Sequence, residues 1–294
     1  KTAYEIKECD WSSDVCSSDL SFSDDALAGK VVANLFFEDS TRTRVSFSIA
    51  AQTLGAKVVD LTSAGSSVAK GEALLDTAWT IEAMGVDAMV VRAGQSGAAA
   101  LIDEHTNCSI INAGDGMHQH PTQALTDALT IGRALGRNDR WDFRGLKIAI
   151  VGDVVSSRVA RSHVGLLTAL GAEVVCVGPG MMAPRSLQVL GCSVSHDLDE
   201  VVGGCDAVMM LRIQFERGGG AVLASVREYH DRFGMTVARS EAMKDHAVVM
   251  HPGPMNRGVE IAPEVADSER SVVLDQVHSG VLIRRAVLAH SITC

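Results

Sequence analysis

The chain has 294 residues and a formal net charge of -10 at pH 7. Its length is enough for two domains, and its composition, 47% hydrophobic but only 4% aromatic, indicates aliphatic cores. The acidic balance argues against a nucleic-acid partner, which needs a basic face, and no apolar run reaches the ~18 residues of a membrane-spanning helix. Seven scattered cysteines without a C-x-x-C pair, and no secretory leader, favour a cytoplasmic protein with reduced thiols.

Residues 1–20 contain a short Ser-Ser-Asp repeat and show no helical or strand period. We interpret this segment as an assembly scar or an arm and leave it out of the fold prediction. Two domains are expected beyond it, over residues 21–134 and 135–277, because polar residues replace the apolar period near residues 132–144. A last helix at about 278–294 is expected to stay with the second domain or to pack back on the first.

Short runs rich in β-branched residues alternate with helix-length segments along the rest of the chain. The runs predicted as strands are Val31–Phe36, Val58–Leu61, Ala88–Val91, Ser109–Asn112, Lys147–Val151, Glu173–Val177, Ala207–Leu211 and Ala247–Met250. Helices are predicted along the face formed by Phe47, Ala50, Ala51 and Leu54, from Pro121 onward, and over Arg158–Leu170 and Ser279–His290. This order predicts an α/β fold with two mainly parallel sheets flanked by helices.

Ligands of parallel sheets bind at the carboxyl ends of the strands, and the first such loop is Phe37-Glu-Asp-Ser-Thr-Arg-Thr-Arg-Val-Ser-Phe47. Ser40 is placed to cap the following helix, whose first backbone N–H groups and positive dipole end favour an anion. Arg42 and Arg44 add guanidinium groups that suit phosphate. A capped helix with surface arginines is the alternative, but the segment holds more donors than a cap needs.

The loop Asn112-Ala-Gly-Asp-Gly-Met-His-Gln-His-Pro-Thr-Gln123 follows a later strand. Its glycines allow the backbone close to a ligand, and His120 and Gln123 lie one turn apart and face the same way. His118 and His120 could suggest a metal, but we find no carboxylate or thiol at ligand spacing and expect none. A neutral imidazole that donates to a carbonyl oxygen is the preferred interpretation.

Two other segments are weak by themselves. Ser66-Ser-Val-Ala-Lys-Gly-Glu72 is either a solvated turn or a loop that presents Lys70 to a ligand. Arg92, directly after a predicted strand, is either a surface arginine or a binding residue.

The loop His251-Pro-Gly-Pro-Met-Asn-Arg-Gly-Val-Glu260 is made rigid by two prolines. A purely structural turn rarely needs His, Asn, Arg and Glu together, so we predict a binding role. Gly152-Asp153 lacks the G-x-G-x-x-G pattern and predicts no dinucleotide cofactor. Arg158, at the start of the next helix, is instead expected to hold a substrate carboxylate.

Together these segments resemble the aspartate and ornithine carbamoyltransferase family over roughly residues 27–290. Ser40-Thr-Arg-Thr-Arg44 is similar to the family's carbamoyl phosphate signature, and His120-Pro-Thr-Gln123 is similar to its second element. The loop at 251–260 and Leu211-Arg-Ile-Gln-Phe-Glu-Arg217 resemble the aspartate branch. The chain departs from the family at Ala93-Gly94, where a His-Pro usually follows the strand arginine.

The resemblance implies an active site in a cleft between the two domains. The residues implied in catalysis are Arg42, Thr43, Arg92 and His120. Those implied in carbamoyl phosphate binding are Ser40, Thr41, Arg42, Thr43, Ser66, Lys70, Arg92, His120, Gln123, Gly253 and Pro254. Those implied in aspartate binding are Lys70, Arg158, Arg212, Gln214, Pro252 and Gly253. Ser66 and Lys70 would complete a neighbouring subunit's site, which implies a homotrimer.

The implied activity is transfer of a carbamoyl group from carbamoyl phosphate to the amine of aspartate, an early step of pyrimidine synthesis. It needs no cofactor, no metal and no covalent enzyme intermediate. Two alternatives stay open: a carbamoyltransferase for another amine, and a non-catalytic homologue in a pyrimidine-pathway assembly. The sequence also leaves open whether a regulatory chain or a dihydroorotase partner attaches.

Overall fold

The computed structural model describes residues 22–62, 73–137, 140–213 and 225–293. The chain divides into two compact units. The first consists of Lys1–Leu125 and His278–Cys294, and the second of Thr126–Val277. Among the residues described, no helix is long and apolar enough to cross a membrane.

The first unit is built on a four-stranded parallel sheet with the order β2-β1-β3-β4. Its strands are β1 (Val31–Phe36), β2 (Lys57–Thr62), β3 (Ala88–Ala93) and β4 (Ser109–Asp115). Its helices are α1 (Thr41–Gln52), α2 (Leu74–Ala83) and α3 (Ala98–Asp103), with the first residues of α4 (Pro121–Ala134). Five consecutive residues of β1 are buried, so helices cover both faces of the sheet, as the continuous apolar run predicts.

The helical face predicted around α1 is confirmed for Phe47, Ala50 and Ala51, which are fully buried. Leu54 is also fully buried but lies beyond the end of the helix at Gln52. The late part of the chain adds to this unit. Arg284 donates to the Ser46 hydroxyl at 2.8 Å, and its guanidinium lies 5.2 Å from the centre of the Phe47 ring.

The second unit is built on a five-stranded parallel sheet with the order β7-β6-β5-β8-β9. Its strands are β5 (Lys147–Val151), β6 (Glu173–Val177), β7 (Ser193–Ser195), β8 (Ala207–Met210) and β9 (Val248–Met250). Its helices are the later part of α4, α5 (Arg158–Ala169), a 3-10 helix (Arg185–Leu190), α6 (Asp199–Val202), α7 (Val226–Phe233), α8 (Val237–Ala242), α9 (Pro263–Ala266) and the start of α10 (Val273–Thr293).

Alternate residues of β5 enter different hydrophobic clusters of the second unit. Ile148 and Ile150 pack into one cluster, whereas Ala149 and Val151 pack into the other. The sheet therefore has a core on each face, which confirms the predicted α/β class.

The structure corrects the prediction at one strand and at the last helix. The strand β7 is missing from the prediction because it is a three-residue edge strand without an apolar run. The last helix begins at Val273 rather than at Ser279, because the polar residues Gln276 and Ser279 obscure a helical period although both are buried.

Candidate active site

The loops singled out in the first unit share one edge of the sheet. β1 lies between β2 and β3, and β3 pairs with β4, all in parallel. Arg92 pairs in register with Phe36, the last residue of β1. The carboxyl ends of three neighbouring strands therefore present their following loops on the same side.

The anion site predicted after β1 is the N-terminus of α1. Ser40 occupies the cap position with extended backbone, as predicted, but its side chain accepts no hydrogen bond from the helix backbone. The Ser40 hydroxyl instead donates to the Thr43 hydroxyl at 3.0 Å. Thr43 is buried, whereas Thr41 and Arg42 are exposed. The positive end of a twelve-residue helix is thus not covered by its own cap residue.

Arg92 is not a surface arginine, since its side chain is 12% exposed. It donates to the Ala113 carbonyl at 3.0 Å, and its Nε lies 3.7 Å from a Glu38 carboxylate oxygen. These contacts hold one guanidinium between the loop after β1 and the end of β4. Glu38 has no role in the sequence prediction, because an acidic residue beside an anion site gains one only when its arginine partner is known.

The loop after β4 is organised by the buried carboxylate of Asp115. It accepts from the Asn112 amide at 2.9 Å and the Gly97 N–H at 2.6 Å, and lies 3.0 Å from the His118 ring nitrogen Nδ1. A carboxylate therefore does lie beside His118, three residues before it, where the sequence analysis finds none at ligand spacing. Among the described residues, no group of three or more His, Cys, Asp or Glu is arranged to hold a metal ion.

His120 lies directly before α4 and is buried with 4% exposure. Gln123 lies in the first turn of α4 and is partly buried, and its backbone N–H donates to the His120 carbonyl at 3.1 Å. Both predicted residues therefore belong to one helix start.

The second unit presents its own set at the carboxyl edge of its sheet, where β5, β8 and β9 are neighbours. Arg158 is the first residue of α5 and is buried, and Arg212 follows β8 and is partly buried. A Cβ placed on Gly152, just after β5, would lie 3.1 Å from the Tyr229 hydroxyl and 3.2 Å from the Leu211 carbonyl. The loops after β5 and β8 thus pack tightly.

Tyr229, absent from the sequence prediction, is buried at this edge. Its hydroxyl has no hydrogen-bond partner among the described residues. Burial raises the pKa of Tyr229 well above its usual range, and the negative charges of Glu260 and Asp153 add to the effect. The phenol therefore stays neutral and keeps its proton for donation.

The loop after β9 is held by His251 and Glu260, both buried. The His251 ring nitrogen Nδ1 accepts from the Gly253 N–H at 2.8 Å, so Nε2 donates to Glu260 at 3.1 Å. Asn256 donates to the Ile213 carbonyl at 3.1 Å, which ties this loop to the segment after β8. Pro252 and Gly253 are partly buried and Pro254 is exposed at its tip.

Three predicted site residues, Ser66, Lys70 and Gln214, lie outside the described residues. All other predicted site residues occupy the two sheet edges, each within its own unit.

Two family models match the chain. The model for the carbamoyl-P binding domain of aspartate/ornithine carbamoyltransferases matches residues 5–133, and that for their Asp/Orn binding domain matches residues 144–291. The chain belongs to the aspartate/ornithine carbamoyltransferase family. The match includes residues 5–20, which the fold prediction leaves out.

Curated relatives within this carbamoyltransferase family cover most of the chain. An aspartate carbamoyltransferase catalytic subunit of Myxococcus xanthus is 57% identical over 89% of this chain and 86% of its own length. The catalytic subunit of Acidothermus cellulolyticus is 55% identical over 89% of this chain and 80% of its own length.

Solved structures of this family also match. Aspartate transcarbamoylase from Trypanosoma cruzi in complex with N-(phosphonacetyl)-L-aspartic acid has a TM-score of 0.80 and 33% identity, over 90% of this chain and 84% of that chain. Ornithine carbamoyltransferase from Thermus thermophilus has a TM-score of 0.79 and 25% identity, over 91% of this chain and 88% of that chain.

Proposed function

We propose that the chain transfers the carbamoyl group of carbamoyl phosphate to the amine of L-aspartate, which yields N-carbamoyl-L-aspartate and phosphate. The observation that carries the proposal is the start of α1, where the cap hydroxyl of Ser40 turns to Thr43 and leaves the positive helix end to an anion. Curated relatives above 50% identity named for the aspartate reaction support aspartate, rather than ornithine, as the acceptor.

In the proposed reaction, the aspartate amine attacks the carbamoyl carbon and forms a tetrahedral intermediate. The bond from that carbon to the phosphate oxygen then breaks, and the departing phosphate takes the proton of the amine. Thr43, Arg92 and His120 donate to the developing oxyanion, and Arg42 stabilises the leaving phosphate. No covalent enzyme intermediate, cofactor or metal takes part.

Each of the two domains expected from the sequence has a separate task in this proposal. The domain of residues 21–134 binds carbamoyl phosphate, and the domain of residues 135–277 binds aspartate. The phosphate-side residues are Ser40, Thr41, Arg42, Thr43, Arg92, His120 and Gln123, with Gly253 and Pro254. The aspartate-side residues are Arg158, Arg212, Gln214, Pro252 and Gly253.

We further propose that the chain works as a homotrimer in the cytoplasm. Ser66 and Lys70 of one subunit then complete the phosphate site of the next, and Lys70 also reaches aspartate.

The test is an assay of carbamoyl aspartate formation by the wild type and by Arg42→Ala. Because Arg42 is exposed, the substitution leaves folding intact, and the rate falls by about 10²–10³. Circular dichroism checks the fold, and ornithine in place of aspartate is the acceptor control. Equal rates for wild type and Arg42→Ala would remove the assignment, and preference for ornithine would change the acceptor.

A further inference from the structure

A network of buried polar contacts runs through the second unit. Its groups have no role in the proposed reaction. The His251 backbone N–H donates to the Gln276 side-chain oxygen at 2.9 Å. The Gln276 amide nitrogen donates to Asp127 at 2.8 Å. The other Asp127 oxygen lies 2.6 Å from the His163 nitrogen Nε2. All four residues are at most 4% exposed.

Each end of this network lies in a segment that carries residues assigned to aspartate binding. His251 is the first residue after β9, and its ring also accepts from the Gly253 N–H. His163 lies on α5, the helix that begins with Arg158. Gln276, on α10, and Asp127, on α4, join these segments although they lie 149 positions apart in the sequence.

The contacts allow one arrangement of donors and acceptors. Gln276 must turn its oxygen to the His251 N–H and its nitrogen to the Asp127 carboxylate, so its amide cannot flip. The second ring nitrogen of His163 lies 2.6 Å from the Val159 carbonyl. Because each ring nitrogen lies within hydrogen-bond distance of an oxygen, the ring cannot rotate without losing a contact.

Stability alone does not explain this buried network, because well-packed apolar residues often replace buried ionic groups without loss of stability. Apolar residues could not, however, fix the His251 backbone at a set distance from α5. The network instead fixes the position of the His251 backbone relative to α5.

We propose that Gln276 is a positioning residue for aspartate, which holds the loop His251–Gly253 in register with the helix that carries Arg158. Asp127 and His163 form the rest of the same network. This inference rests on the proposed function and deepens it, since Gln276 touches no substrate and acts through the His251 backbone.

Gln276→Leu, of similar size, tests the proposal because it removes both contacts. We expect the KM for aspartate to rise about ten- to hundredfold, with kcat at saturating aspartate changed far less. His163→Leu, at the other end of the network, should likewise raise the KM for aspartate and change kcat far less. This variant replaces Gln276→Leu in the test if Gln276→Leu does not fold.

Two controls separate positioning from plain destabilisation. Leu198→Ala removes a fully buried side chain from the same unit and should lower the Tm without changing the KM for aspartate. Asp127→Asn can still accept from Gln276 through its amide oxygen and can donate to the His163 ring nitrogen Nε2 through its amide nitrogen, so its KM should stay near that of the wild type.

The outcomes are distinct. A wild-type KM in Gln276→Leu, or an equal rise of KM in Leu198→Ala, overturns the positioning role and leaves the proposed function standing. A wild-type chain that forms no carbamoyl aspartate overturns the proposed function, and the positioning role with it.

Discussion

At the scale of single residues, Ser40 shows how position and use can separate. The sequence places this serine correctly at the start of α1. Its hydroxyl, however, donates to Thr43 rather than accepting from a backbone N–H. The side chain thus contributes little to capping and is available to orient Thr43.

Ser40→Ala is therefore expected to change stability by no more than about 0.5 kcal/mol, while activity at low carbamoyl phosphate falls. The matched control is Ser225→Ala, because Ser225 does accept from the Glu228 N–H at 3.0 Å. That loss of a cap should cost about 1 kcal/mol without changing activity. Thermal unfolding and initial rates for both variants check this, and a larger Tm loss in Ser40→Ala would contradict it.

Partner residues were harder to predict than the site residues themselves. Arg92 follows the predicted strand Ala88–Val91 and is a candidate from that position alone, although β3 extends through it to Ala93. Its contacts with Glu38 and Ala113 depend on which strands are neighbours. The same holds for Gln276 and Asp127. No short-range pattern marks such pairs, because their spacing is set by tertiary packing.

At the scale of elements, the loops after β3 and β4 fit together without spare room. Gly116 donates its N–H to the Ala93 carbonyl at 2.9 Å and has a φ of +49°. A Cβ there would lie 2.6 Å from the Ser96 backbone nitrogen. Only glycine allows this approach.

Gly116→Ala should cost about 1 kcal/mol in backbone strain and a further ~1–3 kcal/mol in overlap. Because the displaced loop carries His118 and leads to His120, kcat/KM should fall at least about tenfold. Gly85→Ala is the control, since Gly85 also has positive φ but a Cβ there meets nothing within 4 Å. Strain alone should lower its Tm slightly and leave kcat/KM unchanged; equal kinetics in both variants would disprove the close fit.

Long buried strands were predictable because continuous apolar runs mark them, and Val31–Phe36, Lys147–Val151 and Glu173–Val177 match their predicted bounds. The strand β7 was not predictable, since Ser193–Ser195 has one apolar residue and takes its conformation from pairing with β6. The start of α10 was missed because Gln276 is buried for its hydrogen bonds rather than for its hydrophobicity.

At the scale of the whole molecule, the proposed trimer predicts a solution mass of about three times the 31.0 kDa of one chain. Light scattering measures this directly. Co-expression adds a sharper test, because a site shared by Arg42 of one chain and Lys70 of another is whole when Arg42→Ala and Lys70→Ala chains mix.

Each variant alone should have a rate about 10²–10³ below that of the wild type, and the mixture should recover part of the wild-type rate. The control is a mixture of Arg42→Ala with Thr43→Val chains, in which both changes fall in the same half of the site. Recovery in that control, or none in the first mixture, would show that sites are not shared.

The division of the first unit in the sequence has a consequence for synthesis. Its sheet comes from residues before 126, yet part of its packing comes from residues after 277, where Ser109 donates to the Ser291 carbonyl at 2.6 Å. On the ribosome, the whole second unit emerges before the first unit receives the part of α10 that begins at His278. Until then the ring of Phe47 lacks the guanidinium of Arg284 above it. The half of the molecule that is translated first is therefore the last to be finished.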